Sequence, residues 1–391
     1  MDSKFFTYGS LAIDILFTGR EEELSELQTN IRACQNTIIY GLRRVGKSSL
    51  IHEAIKKHLL EKSNRKDVVL FFDLSRVINS KQFLILLAKE ISKILDKNKP
   101  IEQNLKKLTH ILKSLRPTAK VNSITGELEH SLDFIGSTET IAESISEALQ
   151  LLEQLKEKNN RVIVVFDEFQ GIVKWDDNQA IQWQIRSVIQ AQKNIVYIFS
   201  GSSKTLIEKI FMEAKSAFYR SGSIIYLKNY IELESLVPWM KSRFQEASLT
   251  LNPDALTQIL DITKAQPYYT QKLCYKICVH KLNNKKSNQV SFNDVNQSIK
   301  KIIEEESFVN KEKLDDLTYN QQNSLVAIAK LNQSKSASTL DAITDLTNIS
   351  KPSVQTALKS LERSEAQLIF KESKEYFIED PFFRLWLETG V

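Results

Sequence analysis

Apolar residues recur along this chain with two different periods, and the switch between them marks out alternating helices and strands. Leu24, Leu27 and Ile31 fall three and four residues apart among the acids of residues 20–34, which predicts an amphipathic helix. The run Thr37-Ile38-Ile39-Tyr40 reads as a strand, and Leu50 to Leu60 resumes the helical period. Asp67 to Phe72 predicts a second buried strand and Lys81 to Leu95 the helix after it. Arg161 to Phe166 is the most strand-like run, with five consecutive apolar positions, three of them valine. Ile181, Ile185, Val188 and Ile189 mark another helix, and Ile195–Phe199 and Ser223–Leu227 two further strands. Strands alternating with helices up to about residue 227 imply an α/β core with a mostly parallel sheet covered on both faces.

The pattern changes twice. Residues 97–160 interrupt the alternation as an insert. There, Leu105 to Leu115 predicts a helix, and Lys120 to Phe134 a hairpin turning at Thr125-Gly126. Ile141, Ile145, Leu149, Leu152 and Leu155 trace a second helix. Beyond residue 228 the strand pattern stops, and residues 232–308 read as consecutive helices punctuated by Asn252-Pro253 and Gln266-Pro267. Residues 317–391 carry three short helical stripes: Leu325, Ile328 and Ala329; Leu340, Ile343 and Leu346; and Val354, Leu358 and Leu361. Ser350 caps the third, with Pro352 in its first turn. Two β-like runs follow, Leu368–Phe370 and Tyr376–Ile378, and three helices with a hairpin describe a winged helix-turn-helix. The expected division is a core over 1–228, a helical domain over 229–311 and a winged helix over 312–391, with the charged stretch Asn310–Asp316 at the last boundary.

Composition narrows the class. A chain of 391 residues exceeds one ordinary hydrophobic core, and 26% charged residues suit a globular protein. No apolar run approaches the roughly 20 residues needed to span a bilayer. The N-terminus lacks an apolar leader with a cleavage site, so a cytoplasmic location with no membrane partner is expected. Three cysteines make no disulfide framework, and five scattered histidines have no ligand spacing. A net charge of +5 is too mild to demand a nucleic-acid partner. The basic stretches Lys281–Lys286 and Lys300-Lys301 lie close to Glu304-Glu305-Glu306 and read as solvated helix surface.

The candidate chemistry begins at Gly41-Leu42-Arg43-Arg44-Val45-Gly46-Lys47-Ser48-Ser49, a G-x-x-x-x-G-K-S phosphate loop between a predicted strand and a predicted helix. Gly41 and Gly46 let the backbone approach phosphate oxygens, amide groups at the helix start cradle their charge, Lys47 reaches the β- and γ-phosphates, and Ser48 holds Mg²⁺. Phe166-Asp167-Glu168-Phe169 ends the strongest strand, on the side where open α/β sheets bind ligands. Asp167 is the expected Mg²⁺ partner and Glu168 the group that orients the attacking water. Ser200, leading into Gly201-Ser202-Ser203, is placed to contact the γ-phosphate or that water. Arg220, just before the last core strand, is placed to supply positive charge to the transition state.

Phe17-Thr18-Gly19-Arg20-Glu21-Glu22-Glu23-Leu24, the phosphate loop, Phe166–Gln170, Ser200–Ser203 and Phe218-Tyr219-Arg220 stand in an order that resembles the archaeal-type ATPases. These belong to the signal-transduction (STAND) NTPases within the wider AAA+-like P-loop group. Gln266-Pro267-Tyr268-Tyr269 and Asp380-Pro381-Phe382-Phe383-Arg384-Leu385-Trp386 are also similar to that family. The resemblance implies an ATPase core, a helical lid and a winged helix, with ATP and Mg²⁺ as ligands. It further implies that Gly19-Arg20 packs near the nucleotide base and Pro267 contacts the adenine side.

Two functions fit these features. One is a slow or stimulus-dependent ATPase that switches conformation or homo-oligomeric assembly with its nucleotide. The other is a nucleotide-controlled DNA-binding regulator presenting Lys351, Ser353, Gln355, Lys359 and Arg363. Residues 317–391 hold eight Lys and Arg against nine Asp and Glu, which weakens the second and leaves a protein partner open. No Asn-Lys-x-Asp guanine signature occurs, which argues against a GTPase.

Overall fold

The structure, a computed structural model, describes residues 5–61, 67–95, 115–121, 128–134, 138–155, 161–175, 179–283, 287–363 and 367–390. It divides into two compact units, one of residues 20–229 and one of residues 1–19 with 230–391.

The first unit runs α1 (Glu21–Ala33), β1 (Thr37–Tyr40), α2 (Lys47–Glu61), β2 (Val68–Asp73), α3 (Ser80–Leu95), β3 (Leu115–Val121), β4 (Leu128–Phe134), α4 (Thr138–Gln150), β5 (Val162–Asp167), α5 (Ala180–Ala191), β6 (Ile195–Gly201), α6 (Lys204–Phe211) and β7 (Ser223–Tyr226). Five strands form one parallel sheet in the order β2-β5-β6-β1-β7. The apolar runs explain the order. All seven residues of β6 and the first five of β5 are buried, as strands covered on both faces require. β7 lies at the edge, and there Ile224 and Tyr226 are exposed. Phe166 at the end of β5 packs among Phe72, Phe83, Phe169, Tyr197 and Phe199, locking the strand ends that carry the candidate acids.

Within the insert, β3 and β4 pair antiparallel from Leu115↔Phe134 to Val121↔Leu128. The hairpin therefore begins five residues before the predicted Lys120. Its predicted turn at Thr125-Gly126 lies outside the described residues, as does the helix expected over 105–115 except for Leu115, which opens β3.

The second unit runs α7 (Leu233–Glu246), β8 (Thr250–Leu251), α8 (Pro253–Thr263), α9 (Pro267–Asn283), β9 (Gln289–Val290), α10 (Phe292–Asp315), α11 (Tyr319–Gln333), α12 (Leu340–Thr347), α13 (Lys351–Arg363), β10 (Ile369–Glu372), β11 (Glu375–Ile378) and α14 (Pro381–Glu388). β8 and β9 pair in parallel, a two-residue ladder too short to register as a strand pattern in the sequence. The boundary expected at Asn310–Asp316 falls within and at the end of a continuous helix. Residues 310–315 belong to α10, whose Asn310 and Leu314 are buried while Lys311 and Glu312 face solvent. β10 and β11 form the antiparallel hairpin expected after α11, α12 and α13.

Residues 5–19, expected with the core, are stitched into this second unit. Phe6 is buried against Trp239 and Phe244. The Thr7 backbone donates to Gln271 Oε1 (3.0 Å), Gln271 Nε2 donates to the Leu16 carbonyl (3.0 Å), and Trp239 Nε1 donates to the Ile15 carbonyl (2.9 Å). Among the described residues no helix is long and apolar enough to cross a membrane.

Candidate nucleotide site

The loop between β1 and α2 is shaped by its glycines and by Arg20. A Cβ at Gly41 would lie 2.6 Å from the Leu227 carbonyl oxygen, so only glycine lets the loop pass the end of β7 this closely. Gly46 takes φ +94°, a backbone that side chains rarely adopt. The Arg20 guanidinium donates to the Lys228 carbonyl (2.7 Å) and the Val45 carbonyl (3.4 Å), and pairs with Glu23 at 3.3 Å. Buried Arg20 thus ties the loop, the start of α1 and the chain after β7 together. Arg43 and Arg44 are exposed on the loop, Val45 is buried beneath it, and Ser49 sits in the first turn of α2.

Lys47 is the first residue of α2 and only 6% exposed. Its ammonium donates to the carbonyls of Gly41 (3.1 Å) and Leu42 (2.8 Å). Burial pushes it down to about 8, while Glu168 and Asp167 pull it up and Arg43 lowers it further. Opposite stands Asp167 at the end of β5. The Ser48 hydroxyl donates to Asp167 Oδ2 at 2.8 Å, the Ser200 hydroxyl from β6 donates to Oδ1, and the Glu168 amide also reaches Oδ1 at 3.1 Å. The loop serine and the β5 aspartate therefore converge although 119 residues separate them.

Glu168 adopts the left-handed region (φ 55°), which turns the chain into a 3-10 segment over Phe169–Lys174. Its Oε2 accepts from Ser202 Oγ at 2.7 Å and from Gln170 Nε2. Both partners lie in stretches that the sequence singles out, Phe166–Gln170 and Ser200–Ser203, but the contact of Ser202 with Glu168 exists only once β6 lies beside β5. His52, one turn beyond Ser48, stacks on Phe71 at 4.8 Å; burial lowers its pKa, and the charge of Asp167 opposes that shift.

Arg220 is exposed, with φ 53° and its guanidinium 5.1 Å above the Tyr219 ring. Pro267 is the first residue of α9 in the second unit. Among the described residues the site's charge is thus built from buried Lys47 with buried Arg20 behind the loop, two adjacent carboxylates, and hydroxyls from α2 and β6. Among the described residues no group of three or more His, Cys, Asp or Glu could hold a metal by itself. Ser48 and Asp167 do offer two hard oxygens, the donor type that shares Mg²⁺ with phosphate and water.

Comparisons with known proteins agree with this fold. A family model described as an ATPase domain predominantly from Archaea matches residues 17–273, and one described as a probable winged helix domain matches residues 308–389. Among curated proteins no sequence matches. Among solved structures, the Walker-type ATPase PABY2304 of Pyrococcus abyssi superposes with a TM-score of 0.63 at 17% identity, covering 98% of this chain and 99% of that one. The ORC2 protein of Aeropyrum pernix, solved with ADPNP and ADP, gives 0.56 at 12% identity over 99% and 97% of the two chains. The ORC1 protein of the same organism, solved in complex with DNA, gives 0.52 at 12% identity over 96% and 93%. At these identities the likeness is one of fold. The match over residues 17–273, with a phosphate loop set against paired acids, establishes that this chain belongs to the family of ATPases found predominantly in Archaea.

Proposed function

We propose that this ATPase is a molecular switch of the STAND type, in which bound nucleotide controls conformation or assembly and the winged helix carries the signal outward. In this reading residues 229–311 act as the lid and 312–391 as the output domain. The observation that carries it is the meeting of Ser48 and Asp167 at 2.8 Å with Glu168 next in the chain. That arrangement suits the γ-phosphate chemistry of a nucleotide triphosphatase.

Lys47 and the amides from Arg43 to Ser49 bind the phosphates, and Arg20 supports the loop from behind through the Val45 carbonyl. Ser48 and Asp167 would hold Mg²⁺, which when bound neutralises charge on the β- and γ-oxygens. Ser200 holds Asp167 in orientation. Glu168 accepts a hydrogen bond from the attacking water and aligns it for in-line displacement. Arg220 adds positive charge as the phosphoryl group leaves, at its own site or at that of a neighbouring copy.

Nucleotide binding and phosphate release test the site. Lys47→Ala abolishes tight ATP binding, whereas Glu168→Gln retains binding and stops turnover; hydrolysis by Glu168→Gln at the wild-type rate refutes its role. Solution mass with and without ATP and Mg²⁺ tests the switch: a nucleotide-driven shift supports control through assembly, and an unchanged mass refutes it.

A DNA-binding regulator is the second reading, favoured by the shared fold with an ORC1 protein solved on DNA and by exposed Gln355, Lys359 and Arg363 on α13. Lys351 is engaged by Asp341 at 2.5 Å, which drains charge from that face. Binding to random duplex at low ionic strength, weakening steeply with salt, supports this reading; no binding at low salt refutes it.

A further inference from the structure

Two side chains, Gln170 and Ser202, converge on one oxygen of Glu168. The left-handed backbone at Glu168 folds the chain into a tight turn, closed by the Gly171 amide on the Glu168 carbonyl at 3.0 Å. That turn brings the Gln170 side chain back alongside Glu168. Gln170 Nε2 reaches both Glu168 Oε2 and Ser202 Oγ (3.2 Å), and Ser202 Oγ donates to the same Oε2 at 2.7 Å. The three groups close a triangle.

The neighbouring strand is built for this. Ser200 lies in β6 and Ser202 just beyond its end, two residues apart, and each turns its hydroxyl toward the end of β5. Ser200 meets Asp167 and Ser202 meets Glu168: one hydroxyl for each of two consecutive carboxylates. Gly201 between them makes room, since a Cβ there would lie 2.5 Å from Gln170 Oε1. Ser202 is 1% exposed, so its hydroxyl is committed inside the protein. Gln170 Oε1 is buried with no hydrogen-bond partner among the described residues. Such an orphan acceptor is unfavourable and persists only if the surroundings hold the amide in place.

We propose that Ser202 and Gln170 are positioning residues for ATP hydrolysis, gripping Oε2 of Glu168 so that the other carboxylate oxygen takes the attacking water. This rests on the assignment of Glu168 as the group that orients water. A carboxylate on a flexible stem samples many orientations, and terminal torsions of Glu are broad. Two donors on one oxygen narrow that spread, which lowers the barrier without touching the nucleotide. Asp167 is served separately by Ser48 and Ser200, so loss of the grip leaves ATP binding intact.

The experiment is steady-state ATP hydrolysis and ATP affinity for Ser202→Ala, Gln170→Leu and Ser202→Thr, each alone and combined with Glu168→Gln, with thermal melts to verify folding. The expected result is a roughly tenfold fall in kcat for Ser202→Ala and for Gln170→Leu at unchanged ATP affinity, with Ser202→Thr close to wild type. In the Glu168→Gln background, neither substitution lowers residual single-turnover hydrolysis further, because the grip acts only through that carboxylate. If Glu168→Gln is inactive while both single variants keep kcat within about twofold of wild type, the grip is overturned and the role of Glu168 stands. Equal losses in both backgrounds also overturn it, by showing a merely structural effect. Wild-type turnover by Glu168→Gln overturns the assignment of Glu168 and the grip with it.

Discussion

Lys47 illustrates how one residue answers to its surroundings. Burial lowers its pKa from the ordinary 10.5 to about 8. Between those values the unfolded chain binds more protons at this position than the folded protein, so Lys47 makes stability rise with pH across that window. The burial penalty is fully present below pH 8 and fades toward pH 10.5. A Lys47→Met variant is expected to show a flatter stability profile between pH 8 and 10.5 by denaturant titration; an unchanged slope contradicts the shift. Bound polyphosphate favours the ammonium form, so ATP binding above pH 8 takes up a proton at Lys47, read as buffer-dependent enthalpy in calorimetry. Gly41→Ala forces a Cβ against the Leu227 carbonyl, and overpacking of this kind costs about 1–3 kcal/mol by chemical denaturation together with weaker ATP binding. The loop residues and the acid pair were legible because their spacing is local: a glycine-lysine turn between strand and helix, and carboxylates at a strand end. Gln170 and Ser202 were not legible as a pair, since 32 residues separate them and only the pairing of β5 with β6 makes them neighbours.

Periodicity serves elements well when they are long and half buried. α1, α3, α5 and the central strands follow their apolar patterns closely, because burying one face of a helix or both faces of a strand demands those spacings. It fails for β8 and β9, where two residues carry no period. Local capping chemistry is more dependable. Asp380 ends its strand-to-helix corner by accepting from the amides of Phe382 (2.9 Å) and Phe383 (3.2 Å), with Pro381 at the first helical position. Asp380→Ala is expected to destabilise the protein by about 1 kcal/mol, read as a lower denaturation midpoint with an unchanged slope.

At the scale of the whole molecule, α14 explains why the helical segment and the winged helix form one compact unit. Phe382 belongs to the apolar cluster that also holds Phe6, Phe244, Tyr269 and Ile302, whereas Phe383, Trp386 and Leu387 belong to the cluster of the winged helix. Tyr269 Oη donates to Glu379 at 2.6 Å, fastening the chain just before α14 to α9, and Trp386 Nε1 donates to Ser307 at 3.0 Å, fastening α14 to α10. Phe382→Ala removes a fully buried ring and is expected to cost about 3–5 kcal/mol, lowering residues 230–391 as a single cooperative transition by hydrogen exchange. Independent melting of the winged helix in that variant contradicts the shared core. By itself the sequence determined the α/β alternation, the phosphate loop, the acids at the strand end and the three helices with a hairpin, since each depends on residues close together along the chain. Only the tertiary structure decided that Phe6 belongs with Phe244, that Arg20 braces the phosphate loop and that Ser202 reaches Glu168. Those contacts join residues far apart in sequence, and their energy is gained only when separate elements dock.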